Sequence, residues 1–216
     1  RDGGAKRIEL CASMDRDGLT PSFEAIGRAR DCLPEQSLRV MVRPRDGNFV
    51  YSDKEHDTSL AALSLIAGYG ADGAVLGALN SDGVINRRQV TDMLSVTRQK
   101  GLKTTFHRAF DALLDAVAGW REIESFQVDR VLTSGTRWGS QQTALDGVQG
   151  LQKLRAVQTR MELVVGGGIN TQTASQVLEG LQPGGALSLH AYSGVMTNNR
   201  VDADKVRELV RLCEQY

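Results

Sequence analysis

The sequence predicts an α/β protein built as a parallel (β/α) barrel, and three observations lead to this fold class. Seven short apolar runs alternate with seven longer segments of helical period over 216 residues. Each strand and helix together take about 25–30 residues, the spacing of a barrel of the TIM type. The first predicted strand is not followed by the strong glycine-rich turn of an open doubly wound sheet.

The predicted strands are rich in β-branched residues, which favour extended backbone. They are Arg7–Cys11, Leu38–Arg43, Gly73–Leu79, Lys103–Arg108, Arg130–Ser134, Met161–Val165 and Ala186–Ala191. The segments of helical period are Pro21–Leu33, Asp57–Tyr69, Arg87–Lys100, Leu113–Phe126, Ala144–Val157, Thr171–Leu181 and Asp202–Tyr216. Strands that alternate with helices of this length predict a parallel sheet with right-handed crossovers.

Residues that start and end helices support this segmentation. Ser52 and Glu55 fit a capping box, with the hydroxyl at the N-cap and the carboxylate three residues later. Thr20 followed by Pro21 predicts a hydroxyl cap with proline at the first helical position. We expect three glycines to end helices in the left-handed conformation: Gly70, Gly101 and Gly180.

The whole chain, residues 1–216, is predicted to be a single barrel domain, because no repeat, low-complexity tract or linker interrupts it. Seven units were counted where a TIM barrel has eight. Gly3 and Gly4 before Arg7 are typical of a loop that enters a strand, so we expect the first β/α unit to be missing from this chain. A seam left open would expose strand edges, and we therefore expect a homo-oligomer.

Composition excludes some partners. Lys plus Arg and Asp plus Glu both number 26, so no net charge attracts nucleic acid or an anionic membrane surface. We found no apolar stretch near the roughly 18 residues that span a bilayer, and no secretory signal at the start. Three scattered cysteines do not form a disulfide framework, which favours a reducing, cytoplasmic location.

Three arginines, Arg43, Arg45 and Arg108, follow predicted strands at the carboxyl end, where a barrel carries its active face. A buried arginine needs a partner, so Arg43 and Arg108 could pair with acidic residues of the same rim. Alternatively, the guanidinium groups of all three arginines could hold a carboxylate or phosphate in bidentate fashion. The acidic residues considered are Glu9, Asp46 and Asp111.

The glycine triplet Gly166–Gly168 stands between an apolar strand and a helix. In that position backbone N–H groups can approach a phosphate closely. The alternative is a tight turn that needs positive φ and binds nothing. We assign Gly167, Gly168 and Ser134 to the candidate anion site together with the three arginines.

Glu9, His107 and His190 also lie at strand ends and are the candidate catalytic residues for proton transfer. A histidine in a barrel wall can equally be a hydrogen-bonded structural residue. His56, near the start of a helix, is expected to be solvated surface.

Cys11 is the only cysteine at a strand end and is the candidate metal ligand. Cu(I) prefers sulfur donors, so a thiolate at the mouth could bind copper. The sequence has no Cys-x-x-Cys and no Met-x-Met motif. On chemistry alone, Cys11 is better interpreted as an ordinary thiol.

Longer strings resemble the signature stretches of the CutC copper homeostasis family. The resemblance runs from Arg7 to about Ser193 and implies a TIM-type barrel, a cytosolic location, Cu(I) binding and self-association. The matching strings are Arg7–Cys11, Gly18–Ser22, Val42–Asp53, Thr105–Asp111, Val131–Gly135 and Gly166–Ile169.

The chain departs from the family pattern in two places. The pattern begins with a further strand and helix that carry a Val-Cys segment, and this chain lacks them. Asp46-Gly47-Asn48 stands where the family usually has Gly-Gly or Gly-Asp. A missing thiol would remove half of a copper site shared with Cys11.

Two hypotheses follow from the sequence. The resemblance favours a copper homeostasis protein with Cu(I) as its ligand. The rim of the barrel favours an enzyme that acts on a small anionic metabolite, with the arginines as clamp and His107 or Glu9 moving protons. The resemblance decides for copper homeostasis, and the enzyme remains the alternative.

Overall fold

The structure, a computed structural model, describes residues 2–181 and 184–216 in two compact units. The N-terminal unit comprises Lys6–Ala109, and the C-terminal unit comprises residues 2–5, 110–181 and 184–216. Strands alternate with helices in both units.

The N-terminal unit contains four parallel strands that lie side by side in chain order. Ile8 is opposite Leu38, and Val40 is opposite Ala74. The strands are β1 (Arg7–Leu10), β2 (Ser37–Met41), β3 (Gly73–Leu76) and β4 (Lys103–Phe106). The helices are α1 (Phe23–Cys32), α2 (Asp53–Ile66) and α3 (Arg87–Gln99), with 3-10 turns at Met14–Arg16 and Ala67–Tyr69.

The C-terminal unit contains three parallel strands, again in chain order. They are β5 (Arg130–Thr133), β6 (Glu162–Gly166) and β7 (Leu187–His190). A short antiparallel hairpin follows, β8 (Met196–Thr197) with β9 (Arg200–Val201). The helices are α4 (Ala116–Ser125), α5 (Val148–Val157), α6 (Thr173–Leu181) and α7 (Ala203–Cys213). A 3-10 helix covers Arg108–Ala112, and its first two residues belong to the N-terminal unit.

Every predicted strand and helix has a counterpart; six of the seven strands are shorter than predicted, and β6 has the predicted length shifted by one residue. The capping box is confirmed: Ser52 caps α2, and the Glu55 carboxylate accepts a hydrogen bond from the Ser52 N–H at 2.8 Å. The cap predicted at Thr20 is wrong, because α1 begins at Phe23 with Ser22 as its N-cap. The Thr20 hydroxyl instead bonds to the backbone N–H and carbonyl of Arg43 at 2.9 and 3.0 Å.

The expectation for Gly180 is also wrong. Gly70 and Gly101 adopt positive φ at helix ends, as predicted, but Gly180 lies inside α6. A Cβ at Gly180 would stand 2.7 Å from Cγ1 of Val148 on α5. This glycine therefore permits close approach of two helices rather than a left-handed turn.

His56 is buried, and the expectation that it is solvated surface is wrong. Helix α2 begins at Asp53, four residues earlier than the predicted segment, and packs beside α3. Nε2 of His56 lies 3.1 Å from Oδ2 of Asp92 on α3. The histidine therefore connects two helices through a hydrogen bond.

The core of the N-terminal unit lies on both faces of its strands. β3 is buried along its whole length, as parallel strands covered by helices are. At the amino end of the strands, Arg30 uses all five guanidinium N–H groups in hydrogen bonds of 2.7–3.1 Å. The acceptors are the backbone oxygens of Leu33, Pro34, Gln36 and Gly70 and the carboxylate of Asp72.

Within the described ranges, no helix has the length and apolar character needed to cross a membrane.

Candidate functional site

The predicted site residues of the N-terminal unit follow the carboxyl ends of its strands. Cys11 comes directly after β1, Arg43 comes two residues after β2, and His107 comes directly after β4. Because these strands are parallel, the three residues share one end of the sheet. The Phe49 ring lies close to both the Arg43 guanidinium, at 4.9 Å, and the His107 ring, at 5.1 Å.

Arg43 is almost fully buried and holds two loops by their backbone oxygens. Nη1 donates to the carbonyls of Arg16, Asp17 and Gly18 at 3.0–3.4 Å. Nη2 donates to the Gly47 carbonyl at 2.9 Å. The guanidinium therefore keeps its positive charge at a fixed position, supported by carbonyl dipoles.

Arg45 has all five of its N–H groups engaged within the chain. Nε donates to Glu55 at 2.6 Å, and the other four hydrogen bonds go to oxygens of the loop that follows. An anion would have to displace one of these bonds. These contacts favour a structural role for Arg45 over anion binding. Its ion-pair partner, Glu55, was not among the acidic residues considered from the sequence.

The remaining charged residues of this rim are more exposed. Asp46 forms an ion pair with Arg16 at 3.7 Å, and both side chains are more than half exposed. Such a pair contributes little to stability. Arg108 is half-buried at the start of the 3-10 helix Arg108–Ala112.

Two sulfur atoms lie close to one backbone position in the turn that follows β1. Gly18 is buried with φ of +83°, and a Cβ built on it would stand 3.3 Å from Cys11 Sγ and 3.6 Å from Met14 Sδ. Backbone hydrogen bonds between Ala12 and Leu19 close the base of the turn at 2.7 and 2.9 Å. The fold thus places a thiol and a thioether on the same side of one turn.

The Cys11 thiol donates to Oε1 of Glu9 at 3.7 Å. Burial raises the pKa of this thiol well above its usual range, and the neighbouring Glu9 carboxylate raises it further, against the opposing effect of Arg43. The thiol is therefore protonated at neutral pH unless a cation replaces the proton.

His107 is buried and neutral in the folded protein. Its Nδ1 accepts a hydrogen bond from the Ala109 N–H at 3.2 Å, which places the ring proton on Nε2. Burial, reinforced by the charge of Arg43, lowers the pKa of His107 to about 3. A histidine with this pKa donates a hydrogen bond at neutral pH but is a poor general base.

Tyr51 is a buried phenol on the same loop as Phe49. Burial raises the pKa of its hydroxyl to about 12, although the charges of Arg43 and Arg45 act in the opposite direction. The hydroxyl thus keeps its proton over the physiological range.

In the C-terminal unit, Asp111 organises the end of β5. Its carboxylate accepts a hydrogen bond from the Thr133 hydroxyl. It also accepts hydrogen bonds from the Ser134 N–H at 3.2 Å and from the Ser134 hydroxyl at 3.0 Å. The Ser134 hydroxyl also lies 2.8 Å from that of Thr136. Ser134 is fully buried, so these contacts hold the strand end and leave little of its surface open to a ligand.

The glycine loop after β6 has the positive φ values that its sequence predicts, +102° at Gly167 and +76° at Gly168. The Ala144 N–H donates to the Gly167 carbonyl at 2.8 Å, and the Thr173 hydroxyl donates to the Gly168 carbonyl at 3.0 Å. His190 is half-buried at the end of β7, opposite Gly166. The anion-binding role of this loop stays a prediction.

Sequence reasoning did not assign a role to Met14 or Tyr51. The spacing Cys11-x-x-Met14 would have indicated Met14, because a tight turn brings such residues to one side. Across the described ranges, no group of three or more His, Cys, Asp or Glu residues is arranged to hold a metal ion. Any soft metal site here must therefore use thioether sulfur or fewer protein ligands.

Parallel strands in chain order, helices between them and polar residues after their carboxyl ends define a parallel β/α protein of the TIM type. The crystal structure of CutC from Streptococcus agalactiae is similar, with a TM-score of 0.78 and 28% identity over 85% of this chain and 87% of that one. The fold class predicted from sequence is thereby confirmed. The sequence pattern of the CutC family matches residues 1–195, and the chain belongs to this family.

Relatives from distant organisms match most of the chain. A family protein CutC of Bacteroides fragilis is 38% identical over 82% of this chain and 68% of its own length. The human copper homeostasis protein cutC homolog is 36% identical over 87% of this chain and 66% of its own. The chain therefore spans about two thirds of the length of these relatives.

Proposed function

We propose that this protein acts in copper homeostasis by binding Cu(I) at the turn between β1 and α1. Family membership and the name of the human relative support the role in copper homeostasis. The observation that carries the site is the convergence of Cys11 Sγ and Met14 Sδ on the backbone at Gly18.

The donor atoms of this turn fit Cu(I) better than a harder cation. Thiolate and thioether are the soft ligands that Cu(I) prefers, and Cu(I) accepts low coordination numbers. All three cysteines of the chain are free. A reducing compartment keeps both thiol and copper in the required state, so we infer a cytoplasmic location.

Titration of Cu(I) against a competing chelator tests this proposal. We expect Cys11→Ser to weaken Cu(I) binding by roughly 100-fold or more and Met14→Leu by about tenfold, since each substitution removes one sulfur donor. Cys32→Ser is the matched control, because Cys32 is exposed at the end of α1. Equal affinities of the Cys11 and Cys32 variants would contradict the proposed site.

We also propose that the chain forms one folding domain and assembles as a homo-oligomer. The resemblance to the CutC family, whose members tend to self-associate, supports assembly. Light scattering at tens of micromolar tests assembly, since standard interfaces persist at that concentration. Unfolding in one cooperative transition tests the single domain.

An enzyme that acts on a small anionic metabolite is the second candidate. The buried charge of Arg43 beside the neutral donor His107 favours it. Phosphate or sulfate at millimolar concentration should raise the melting temperature more than chloride at equal ionic strength, and Arg43→Ala should remove that difference. Persistence of the difference in the variant would assign Arg43 to structure alone.

A further inference from the structure

Two buried hydrogen-bond donors of the N-terminal unit have no acceptor in the part of the chain that the structure describes. Among residues 2–181 and 184–216, no atom accepts a hydrogen bond from the Tyr51 hydroxyl or from Nε2–H of His107, and the Arg43 guanidinium, itself a donor, lies beside the phenol oxygen. Both side chains are more than nine-tenths buried, with relative exposures of 7% and 2%. Leaving such groups unsatisfied is costly, so native proteins rarely retain them without a ligand or an ordered water.

The two groups belong to one cluster centred on Arg43 and Phe49. The rings of Phe49 and His107 are 5.1 Å apart, and the Arg43 guanidinium lies 4.9 Å from the Phe49 ring. The charge of Arg43 acts on both Tyr51 and His107, which places the guanidinium near each of them. The cluster therefore combines two neutral groups with one fixed positive charge.

Both neutral groups present hydrogen-bond donors. The Ala109 N–H occupies Nδ1 of His107, so Nε2 carries the hydrogen. The Tyr51 phenol retains its hydrogen, which no neighbouring acceptor takes up among the described residues. Donors beside a positive charge select an acceptor with negative charge.

We infer that the Tyr51 hydroxyl and Nε2–H of His107, beside the charge of Arg43, bind the carboxylate group of a small molecule. A carboxylate has two oxygens for two donors, and its negative charge is complementary to the Arg43 guanidinium. The charge of Arg45 also acts on Tyr51, but Arg45 is already paired with the Glu55 carboxylate. The burial of all three side chains restricts the site to a small ligand. This site is separate in its chemistry from the sulfur donors proposed for Cu(I).

Carboxylate binding can be measured on the whole chain with formate and acetate as probes. Each salt is titrated against chloride at equal ionic strength, and the shift in melting temperature is recorded. In the wild-type protein, formate and acetate should raise the melting temperature more than chloride does, and this excess should saturate with concentration. Tyr51→Phe removes only the hydroxyl and should abolish the excess, whereas Tyr69→Phe, at an exposed tyrosine of the same unit, should retain it.

Two substitutions at His107 separate donor from acceptor. His107→Asn keeps an oxygen that can accept from the Ala109 N–H but removes the donor at Nε2, and should lose the excess shift. His107→Gln can place an amide N–H near the Nε2 position and should retain part of it.

A retained shift in both Tyr51→Phe and His107→Asn, or none in the wild type, would overturn the inference in favour of an ordered water. A shift with sulfate but not with formate or acetate would overturn the assignment to carboxylates.

Discussion

The two ends of the strands in the N-terminal unit use arginine differently. At the amino end, Arg30 and its acceptors satisfy one another, and the Asp72 carboxylate also accepts from the Leu38 N–H at 2.7 Å. At the carboxyl end, Arg43 likewise binds backbone oxygens, yet Tyr51 and His107 beside it keep unused donors. The Arg30 guanidinium is thus fully engaged, whereas two neutral donors beside Arg43 have capacity left for a ligand.

This contrast shows what marks a binding site in such a fold. An arginine at the rim is not sufficient, because Arg30, Arg43 and Arg45 all bind oxygens of their own chain. The distinguishing feature is a buried neutral donor without a partner next to a fixed charge. The amino end of β/α strands commonly serves stability and the carboxyl end function, which agrees with this difference.

The largest expected effect is the loss of the Arg30 hydrogen bonds. Arg30→Ala removes five hydrogen bonds and leaves the Asp72 carboxylate without its cation, so we expect the free energy of unfolding to fall by about 2–4 kcal/mol. Denaturant unfolding measures this change. Arg28→Ala, at an exposed position on the same helix, should change stability by no more than about 0.5 kcal/mol. A difference between the two variants below about 1 kcal/mol would contradict this role of the Arg30 hydrogen bonds.

The second effect concerns His107 and pH. Its pKa is about 3 in the folded protein and about 6.5 in the unfolded chain, so the unfolded state binds the proton first as pH falls. The contribution of the neutral histidine is complete above about pH 6.5 and is lost towards pH 3, with a slope of up to about 1.4 kcal/mol per pH unit. The stability difference between wild type and His107→Asn should therefore become smaller from pH 7 to pH 4. A constant difference would show that His107 is not held neutral.

The third effect concerns Cu(I) and pH. Because burial raises the pKa of the Cys11 thiol, a bound Cu(I) ion must replace its proton at any pH between 6 and 8. We expect the affinity to rise about tenfold per pH unit over this range. Chelator competition at pH 6, 7 and 8, corrected for chelator protonation, gives the slope. An affinity independent of pH would exclude the Cys11 thiolate as ligand.

The smallest effect distinguishes two hydroxyl groups at the carboxyl end. The Tyr51 hydroxyl has no acceptor among the described residues, so Tyr51→Phe should change the free energy of unfolding by no more than about 0.5 kcal/mol. The Thr20 hydroxyl bonds to two backbone groups of Arg43, and Thr20→Val should cost about 1–2 kcal/mol. Equal costs measured by denaturant unfolding would show that Tyr51 is satisfied in solution.

Local patterns predicted the fold because they depend on nearest neighbours. The alternation of apolar runs and helical segments located the seven parallel strands and the seven α-helices, and the Ser52 capping box fixed one helix start. It did not indicate the short β8–β9 hairpin. The expectations that failed depend on partners distant in sequence. Thr20 was predicted to cap a helix, but its hydroxyl accepts a hydrogen bond from the backbone N–H of Arg43. His56 was expected at the surface, but its ring forms a hydrogen bond with Asp92.

The candidate site was predicted in part. Cys11, Arg43 and His107 could be located at one end of the sheet because parallel strands place their carboxyl ends together. The sequence could not reveal which donors remain unused, because that depends on which carbonyl oxygens the loops present to each guanidinium. Met14 and Tyr51 became candidate site residues only once the folded turns that carry them were known.

Above its backbone-bonded base, the turn that carries Met14 is held by one nitrogen atom. Nη1 of Arg43 holds the carbonyls of Arg16, Asp17 and Gly18 together, so these three residues should open and close as a unit. Each opening would also separate Met14 from Cys11, and a Cu(I) ion held by both would lose one ligand at that moment. The residence time of bound copper would then be governed by how often the guanidinium releases the turn.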